Sequence, residues 1–460
     1  MSDPSGIVER IWARDPTLWT GADEGQWLGW LDEPWRALED VDLFLQFAES
    51  VAERVDTVVL FGMGGSSLAP EVIKQTFGRE TFHVLDTTHP QAIRALEAEL
   101  DLARTLFISA SKSGSTLETR SHTDYFWGKT GDGAQWVAIT DPGSALEKLA
   151  AERSFAATFP GEPTIGGRYS ALSPFGIVPA ALVGVDLTRL LERTIEMAEA
   201  CKLAEGNPGL ELGLALGDGW REGRDKICIA PNPGDFGLWA EQLLAESTGK
   251  LGKGLVPAPG EPSDGPDRQA QEVRVTGPYE LGQEFFRWEF ATAVAGSILE
   301  INPFDQPDVQ SAKDKTKEVL ASGSEPDVTP QGSADELFAQ ARPGDYVCIQ
   351  AFVNPTAEAE DLIAALAAQA RAATGCVVTH GFGPRYLHST GQLHKGGPPT
   401  GLYLQVVDDT GDELPIPNQP FGFGKLIRAQ AAGDFASLKE RGRRVARIRL
   451  EEAPVTGRST

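Results

Sequence analysis

Between Ser111 and Thr116 the chain runs Ser111-Lys112-Ser113-Gly114-Ser115-Thr116, directly after the apolar run Leu106-Phe107-Ile108 and directly before a helical pattern. A phosphate seat is built in that order: a buried strand delivers hydroxyls to the start of a helix, where free backbone N–H groups and the positive dipole end attract an anion. Ser111, Ser113, Ser115 and Thr116 add donors without adding charge, Lys112 is the nearest cation, and Gly114 lets the backbone close on a ligand. An ordinary helix cap with extra serines would look the same, because Ser and Thr commonly cap helices.

A second glycine-rich turn, Gly62-Met63-Gly64-Gly65-Ser66-Ser67, also runs from strand to helix. It lacks the third glycine of a dinucleotide fingerprint and no Walker lysine-serine pair follows it. What remains is a loop whose backbone can approach a ligand closely around Gly65, with Ser66 and Ser67 as donors at the carboxyl edge of a parallel sheet, where ligands of such sheets bind. Two such loops on adjacent strands can grip one phosphorylated sugar.

Five further residues could do chemistry. Arg168, on the loop Gly166-Gly167-Arg168, suits a developing oxyanion or a phosphate. Glu246 falls near the C-terminal end of a predicted helix, where a carboxylate gains nothing from the dipole, and that suits a group that must take up a proton. Lys313 lies about two turns into a helix that starts after Asn302 to Asp308. Two of the six histidines, His388 and His394, occupy a glycine-dense loop; Cys376, His380, His388 and His394 match no recognised metal-ligand spacing, so proton transfer by one histidine is the better reading.

At 460 residues two α/β domains are expected. With 41 Lys+Arg against 66 Asp+Glu the formal net charge is -25 and no basic run interrupts it, which argues against a nucleic-acid partner and means that an anionic ligand is held by a few local cations. The four scattered cysteines read as reduced core thiols of a cytoplasmic protein. A polar N-terminus and the lack of a long apolar run indicate neither export nor a membrane.

Short apolar runs alternate with helical periodicity, the pattern of parallel sheets with crossover helices. Strands are expected at 57–62, 82–86, 105–109, 135–140, 226–231, 346–352, 376–379 and 402–407, with mobile loops at 256–267 and 322–333. The division expected is an N-terminal helical segment (1–54), a first domain carrying the phosphate loop (55–185) and a second domain of the same architecture with a C-terminal extension (186–460).

Taken together and in this order, these motifs resemble the glucose-6-phosphate isomerase (phosphoglucose isomerase) family. The Gly282 to Ala291 and His388 to Gly397 segments look most like the isomerase half of bacterial proteins that fuse it to transaldolase. The resemblance implies two sugar-isomerase (SIS)-type αβα sandwich domains with parallel sheets. It implies interconversion of glucose 6-phosphate and fructose 6-phosphate, in glycolysis and gluconeogenesis, without metal or organic cofactor. It is also compatible with a homodimer. The family's phosphate loop corresponds to Ser111 to Thr116, its Gly-Gly-Arg loop to Gly166 to Arg168, its base motif to Glu246 to Lys250, and its Gln and Lys helix to Gln306 and Lys313. By that carry-over Glu246 moves a proton between C2 and C1, Arg168 stabilises the cis-enediolate, and Gln306 orients hydroxyls.

One departure stands out. The family's ring-opening histidine lies between the base motif and the lysine helix, yet residues 251–305 contain no histidine and Glu284 stands about where it would be. A Leu-His-Ser-x-Gly-Gln string occurs downstream at Leu387 to Gln392, so His388 is expected to supply the imidazole, with His394 as second candidate and Lys313, Glu284 or water as the fallback. Glu118 is expected to brace the phosphate loop from behind. A non-catalytic sugar-phosphate sensor, or an isomerase that also accepts mannose 6-phosphate, would carry much of the same sequence.

Overall fold

The computed structural model describes residues 4–452. The first five strands, β1 (Thr57–Phe61), β2 (Phe82–Leu85), β3 (Thr105–Ala110), β4 (Trp136–Thr140) and β5 (Ala157–Pro160), form one parallel sheet in the order β2-β1-β3-β4-β5. Both faces of this sheet are covered. Val58, Leu60, Leu106 and Ile108 join a core with Leu68, Val72 and Phe175 from helices on one side, while Val59, Phe61 and Phe107 join another with Ile93, Tyr125 and Phe126 on the other. Apolar residues at successive strand positions are what a sheet buried on both faces requires. The long helix Leu281–Leu299 is buried along nearly its whole length and adds Phe286, Trp288 and Phe290 to the first of these cores.

The second half divides its strands between two parallel sheets. β6 (Lys226–Ile229), β7 (Val256–Pro259) and β8 (Arg268–Gln271) pair in the order β7-β6-β8. β9 (Tyr346–Phe352), β10 (Val377–Phe382), β11 (Gly401–Val407) and β12 (Arg444–Arg449) pair as β10-β9-β11-β12. The two sheets abut at β7 and β10, where the Glu261 carboxylate accepts from the Val378 N–H at 3.1 Å and is itself paired with Arg371. The parallel α/β class is as expected, but three sheets replace the two that two similar domains would give. Residues 256–259, expected within a mobile loop, form β7 instead. Four strands, β5, β7, β8 and β12, have no counterpart among those expected from the sequence.

Because β1 and β3 pair in parallel with Thr57 opposite Thr105 and Phe61 opposite Ser109, their carboxyl ends finish side by side. The loops that follow, 62–67 and 111–116, therefore open onto the same edge. No helix among the described residues is long and apolar enough to cross a membrane.

Candidate active site

The two glycine-rich loops are packed against the rest of the site, and this fixes which of their residues must be glycine. Gly64 has φ of +56°, in the left-handed region, and a Cβ on Gly65 would overlap the carbonyl of Gly167 in the Gly-Gly-Arg loop. Gly114, at φ +68°, lies against the backbone nitrogen of Leu146 at the start of the next helix. Its glycine is thus required by protein packing, whereas the sequence suggests a backbone closing on the ligand.

Ser111 Oγ and Thr116 Oγ1 are 2.9 Å apart, and Ser113 Oγ and Ser115 Oγ 3.0 Å. Thr116 precedes the helix Leu117–Thr130 but makes no side-chain cap, so the loop is not the ordinary capped helix start it could have been. The N–H groups of that first turn remain available to an anion. Lys112 is committed elsewhere: its Nζ lies 2.6 Å from Asp141 Oδ2 and donates to the Glu162 carbonyl at 2.9 Å. The sequence marks it as the cation beside the phosphate; in the fold its charge is already matched.

The opposite wall carries the carboxylate. Glu246, near the end of the helix Phe236–Thr248, lies 3.5 Å from Arg168 Nη1 and accepts from Gln242 Nε2, one turn earlier, at 2.9 Å. Arg168 is only 2% exposed. It donates to Ser247 Oγ at 2.8 Å, to the carbonyls of Pro303 and Asp305 at 3.0 and 2.8 Å, and to Gln306 Oε1 at 2.8 Å. Nε and Nη2 therefore hold neighbouring segments, and Nη1 is the group that faces Glu246 and Gln306. Lys250 clamps the same segment through Asn302 O and Asp305, and burial followed by the nearby Arg168 charge brings its pKa down to about 8. Sequence reasoning missed Gln242, whose Nε2 donates both to Glu246 and to the His388 carbonyl, the latter at 2.9 Å. Its spacing four residues before Glu246 was the available signal.

His388 closes the third side. Its Nε2 is 2.9 Å from Glu118 Oε1. Burial presses the Glu118 proton affinity upward, but the His388 imidazole beside it, a backbone hydrogen bond and Lys313 outweigh that and hold its pKa at about 2. Facing an ionised carboxylate, Nε2 is a ring nitrogen that carries a proton, so that in the neutral ring Nδ1 is the acceptor. Glu118 thus pairs with His388. Lys313, exposed on the helix Gln310–Ala321, borders the same space.

The rival candidates for the imidazole's place lie elsewhere. Glu284 is buried and ion-paired to Arg287 at 2.6 Å, and it accepts from the Arg274 N–H and Trp288 Nε1. His394 is buried between Cys348 and Gln350, and burial, then the charges of Lys395 and Arg443, push its pKa well below the usual range. Among the described residues no group of three or more His, Cys, Asp or Glu side chains is arranged to hold a metal.

Gly65, Ser66, Lys112, Ser113, Thr116, Arg168, Gln242, Glu246, Gln306, Lys313 and His388 all line one cleft of about 390 Å³. Ser115 lines an adjoining cavity of about 210 Å³ that shares Ser113, Thr116, Lys313 and His388 with it. Ser111 borders neither cavity and reaches the loop through Thr116. The volume suits a small phosphorylated metabolite.

The phosphoglucose isomerase family model matches residues 46–221. That span contains both glycine-rich loops and Arg168 but ends before Glu246, Gln306, Lys313 and His388. The chain is 32% identical over 273 residues to glucose-6-phosphate isomerase of Trichormus variabilis, covering 54% of this chain and 50% of that one. It is 36% identical over 189 residues to glucose-6-phosphate isomerase of Thermus thermophilus, covering 39% and 45%. It therefore spans about half the length of the curated relatives it matches. A crystal structure of a glucose-6-phosphate isomerase from Chlamydia trachomatis superposes with a TM-score of 0.57 at 17% identity, over 70% of this chain and 86% of that one, which shows a shared fold.

Proposed function

We propose that the chain is an aldose–ketose isomerase that interconverts glucose 6-phosphate and fructose 6-phosphate, in the cytoplasm, with a soluble sugar phosphate as its partner and no need for metal or organic cofactor. The observation that carries this reading is Glu246 facing Arg168 Nη1 at 3.5 Å across a cleft whose other wall is the hydroxyl-rich helix start. A sensor needs the second feature and has no use for the first.

The phosphate is held by the N–H groups and hydroxyls of Ser113, Ser115 and Thr116, with Ser66 from the neighbouring loop and Ser111 supporting from behind, and Lys313 supplies positive charge. His388 and Lys313 move the C1 hydroxyl proton to the ring oxygen, opening the ring. Glu246 then takes the proton from C2, now alpha to the C1 carbonyl, and the electrons form the C1–C2 double bond of an enediolate. Arg168 Nη1 offsets the negative charge on oxygen, and Gln306, held to that same nitrogen, orients the hydroxyls. A proton passes from the C2 hydroxyl to the C1 oxygen, and Glu246 returns its proton to C1, giving the ketose.

The test is conversion of fructose 6-phosphate to glucose 6-phosphate by the full chain with a chelator present. Chelator-resistant turnover is expected. Tight binding of either sugar phosphate with no turnover would overturn the reading in favour of a sensor.

A further inference from the structure

Glu118 can serve His388 only if its carboxylate is held in one place, and the fold provides a separate device for that. Glu118 Oε1 receives two donors, His388 Nε2 at 2.9 Å and Gln430 Nε2 at 2.7 Å. Gln430, buried on the helix Phe423–Glu440, is held at its other end by Thr88 Oγ1, which donates to its Oε1 at 2.7 Å. A flipped amide would place its carbonyl oxygen against an ionised carboxylate, and the Thr88 hydroxyl anchors the amide in the orientation that avoids this.

Thr88 is itself fully buried, in the loop 86–89 that follows β2, and that loop is fixed on several sides. The Thr87 carbonyl is 2.9 Å from His122 Nε2, Asp86 takes Arg385 at 2.7 and 2.9 Å, and His89 Nε2 lies 3.1 Å from Asp408. Rigidity therefore passes from the first sheet's edge through Thr88 and Gln430 to the carboxylate. Lys313 and Lys395 border the same cavity and His122 shares the Glu118 helix, but among the described residues Gln430 and His388 are the side chains that donate to Oε1.

We propose that Gln430, oriented by Thr88, is a positioning residue for His388. By occupying one direction on Glu118 Oε1 and holding the carboxylate still, it fixes His388 in its Nε2–H tautomer with Nδ1 free to exchange protons. The catalytic consequence rests on the isomerase reading; the positioning itself does not. Groups that orient a working side chain from behind typically contribute about 10- to 100-fold.

Two readouts on the full chain test this: the His388 tautomer by 15N NMR of histidine-labelled protein, and the split between kcat and KM for fructose 6-phosphate. In the wild type His388 is expected as the Nε2–H form. Gln430→Met should mix the tautomers and lower kcat about 10-fold, with KM within about 2-fold. Thr88→Val should do the same by about 3-fold, and Thr88→Ser, which keeps the hydroxyl, should restore wild-type behaviour. If Gln430→Met does not fold, the Thr88 pair carries the test. Unchanged tautomer and kcat in the folded variants, or a raised KM alone, would overturn the proposal. A tautomer shift in a protein that turns over no sugar phosphate would uphold the positioning and sink the isomerase reading instead.

Discussion

His388 and Glu118 lie 270 residues apart in the chain, yet the imidazole Nε2 sits 2.9 Å from the carboxylate Oε1. The first belongs to a short turn after β10, the second to the helix that begins at the phosphate loop. Their meeting joins the helix start that follows the first sheet to the turn that follows β10 of the last.

Glu118→Gln removes the ionised partner while keeping the shape. It should lower kcat on the order of 100-fold, the usual weight of a positioned acid or base, and leave KM nearly unchanged. Steady-state kinetics with fructose 6-phosphate check this. A variant with kcat near wild type would show that His388 works without its carboxylate.

Gly65→Ala places a methyl group on the Gly167 carbonyl, with backbone on both sides and no flexible side chain to yield. The expected cost is about 1–3 kcal/mol, read as a lower melting temperature, together with loss of activity because the Arg168 loop is displaced. Unaltered melting would mean that the two loops separate freely.

Lys112→Met leaves Asp141, its partner at 2.6 Å, unmatched beside an anion seat. KM should rise about 10-fold by repulsion, and adding Asp141→Asn should recover most of it. If Lys112 instead contacted the phosphate directly, the double variant would stay as weak as the single one.

Stability should also depend on pH through Glu33. Burial, which outweighs the neighbouring Arg36, raises its pKa from 4.5 to about 8 in the folded protein. Between those values the folded state holds more protons than the unfolded one. The contribution is therefore complete below about 4.5 and is lost as pH rises toward 8. Glu289, buried with both carboxylate oxygens lacking a hydrogen-bond partner among the described residues, acts in the same direction. Glu118, held at about 2, acts oppositely: its contribution is present above 4.5 and lost as pH falls through 2. Thermal melting of Glu33→Gln should exceed wild type at pH 8 and match or fall below it at pH 4.5. An equal shift at both would exclude ionisation as the cause.

The motifs that were legible are those whose meaning is local. A strand ending in Ser111-Lys112-Ser113-Gly114-Ser115-Thr116 announces a helix start wherever it occurs, and Glu246 lies in the expected place on its helix. The strands that escaped were short or charged. Val-Pro-Ala-Pro in β7 and Arg-Gln-Ala-Gln in β8 offer no alternation, and the charged run Arg444 to Arg449 pairs with β11 as a strand in which Arg447 is buried and donates to Gln405 Oε1 at 2.6 Å. What the chain could not disclose was pairing at a distance: that Asp141 would take Lys112, that Gln242 would bridge Glu246 and the His388 carbonyl, or that His394 would be buried in the core while His388 faced the cleft.

The central claim is that Glu246 carries the proton between C2 and C1. The most direct measurement is the conversion of fructose 6-phosphate in deuterium oxide by wild type and by Glu246→Gln, following both the rate and solvent deuterium at C2 of the product by NMR. The account predicts turnover in the wild type, with deuterium at C2 in those turnovers in which the proton held by Glu246 exchanges with solvent before it is returned. In the variant both should fall on the order of 1,000-fold or more, while sugar-phosphate binding persists. A variant that keeps the rate and the label would contradict it, and another group would have to be the base.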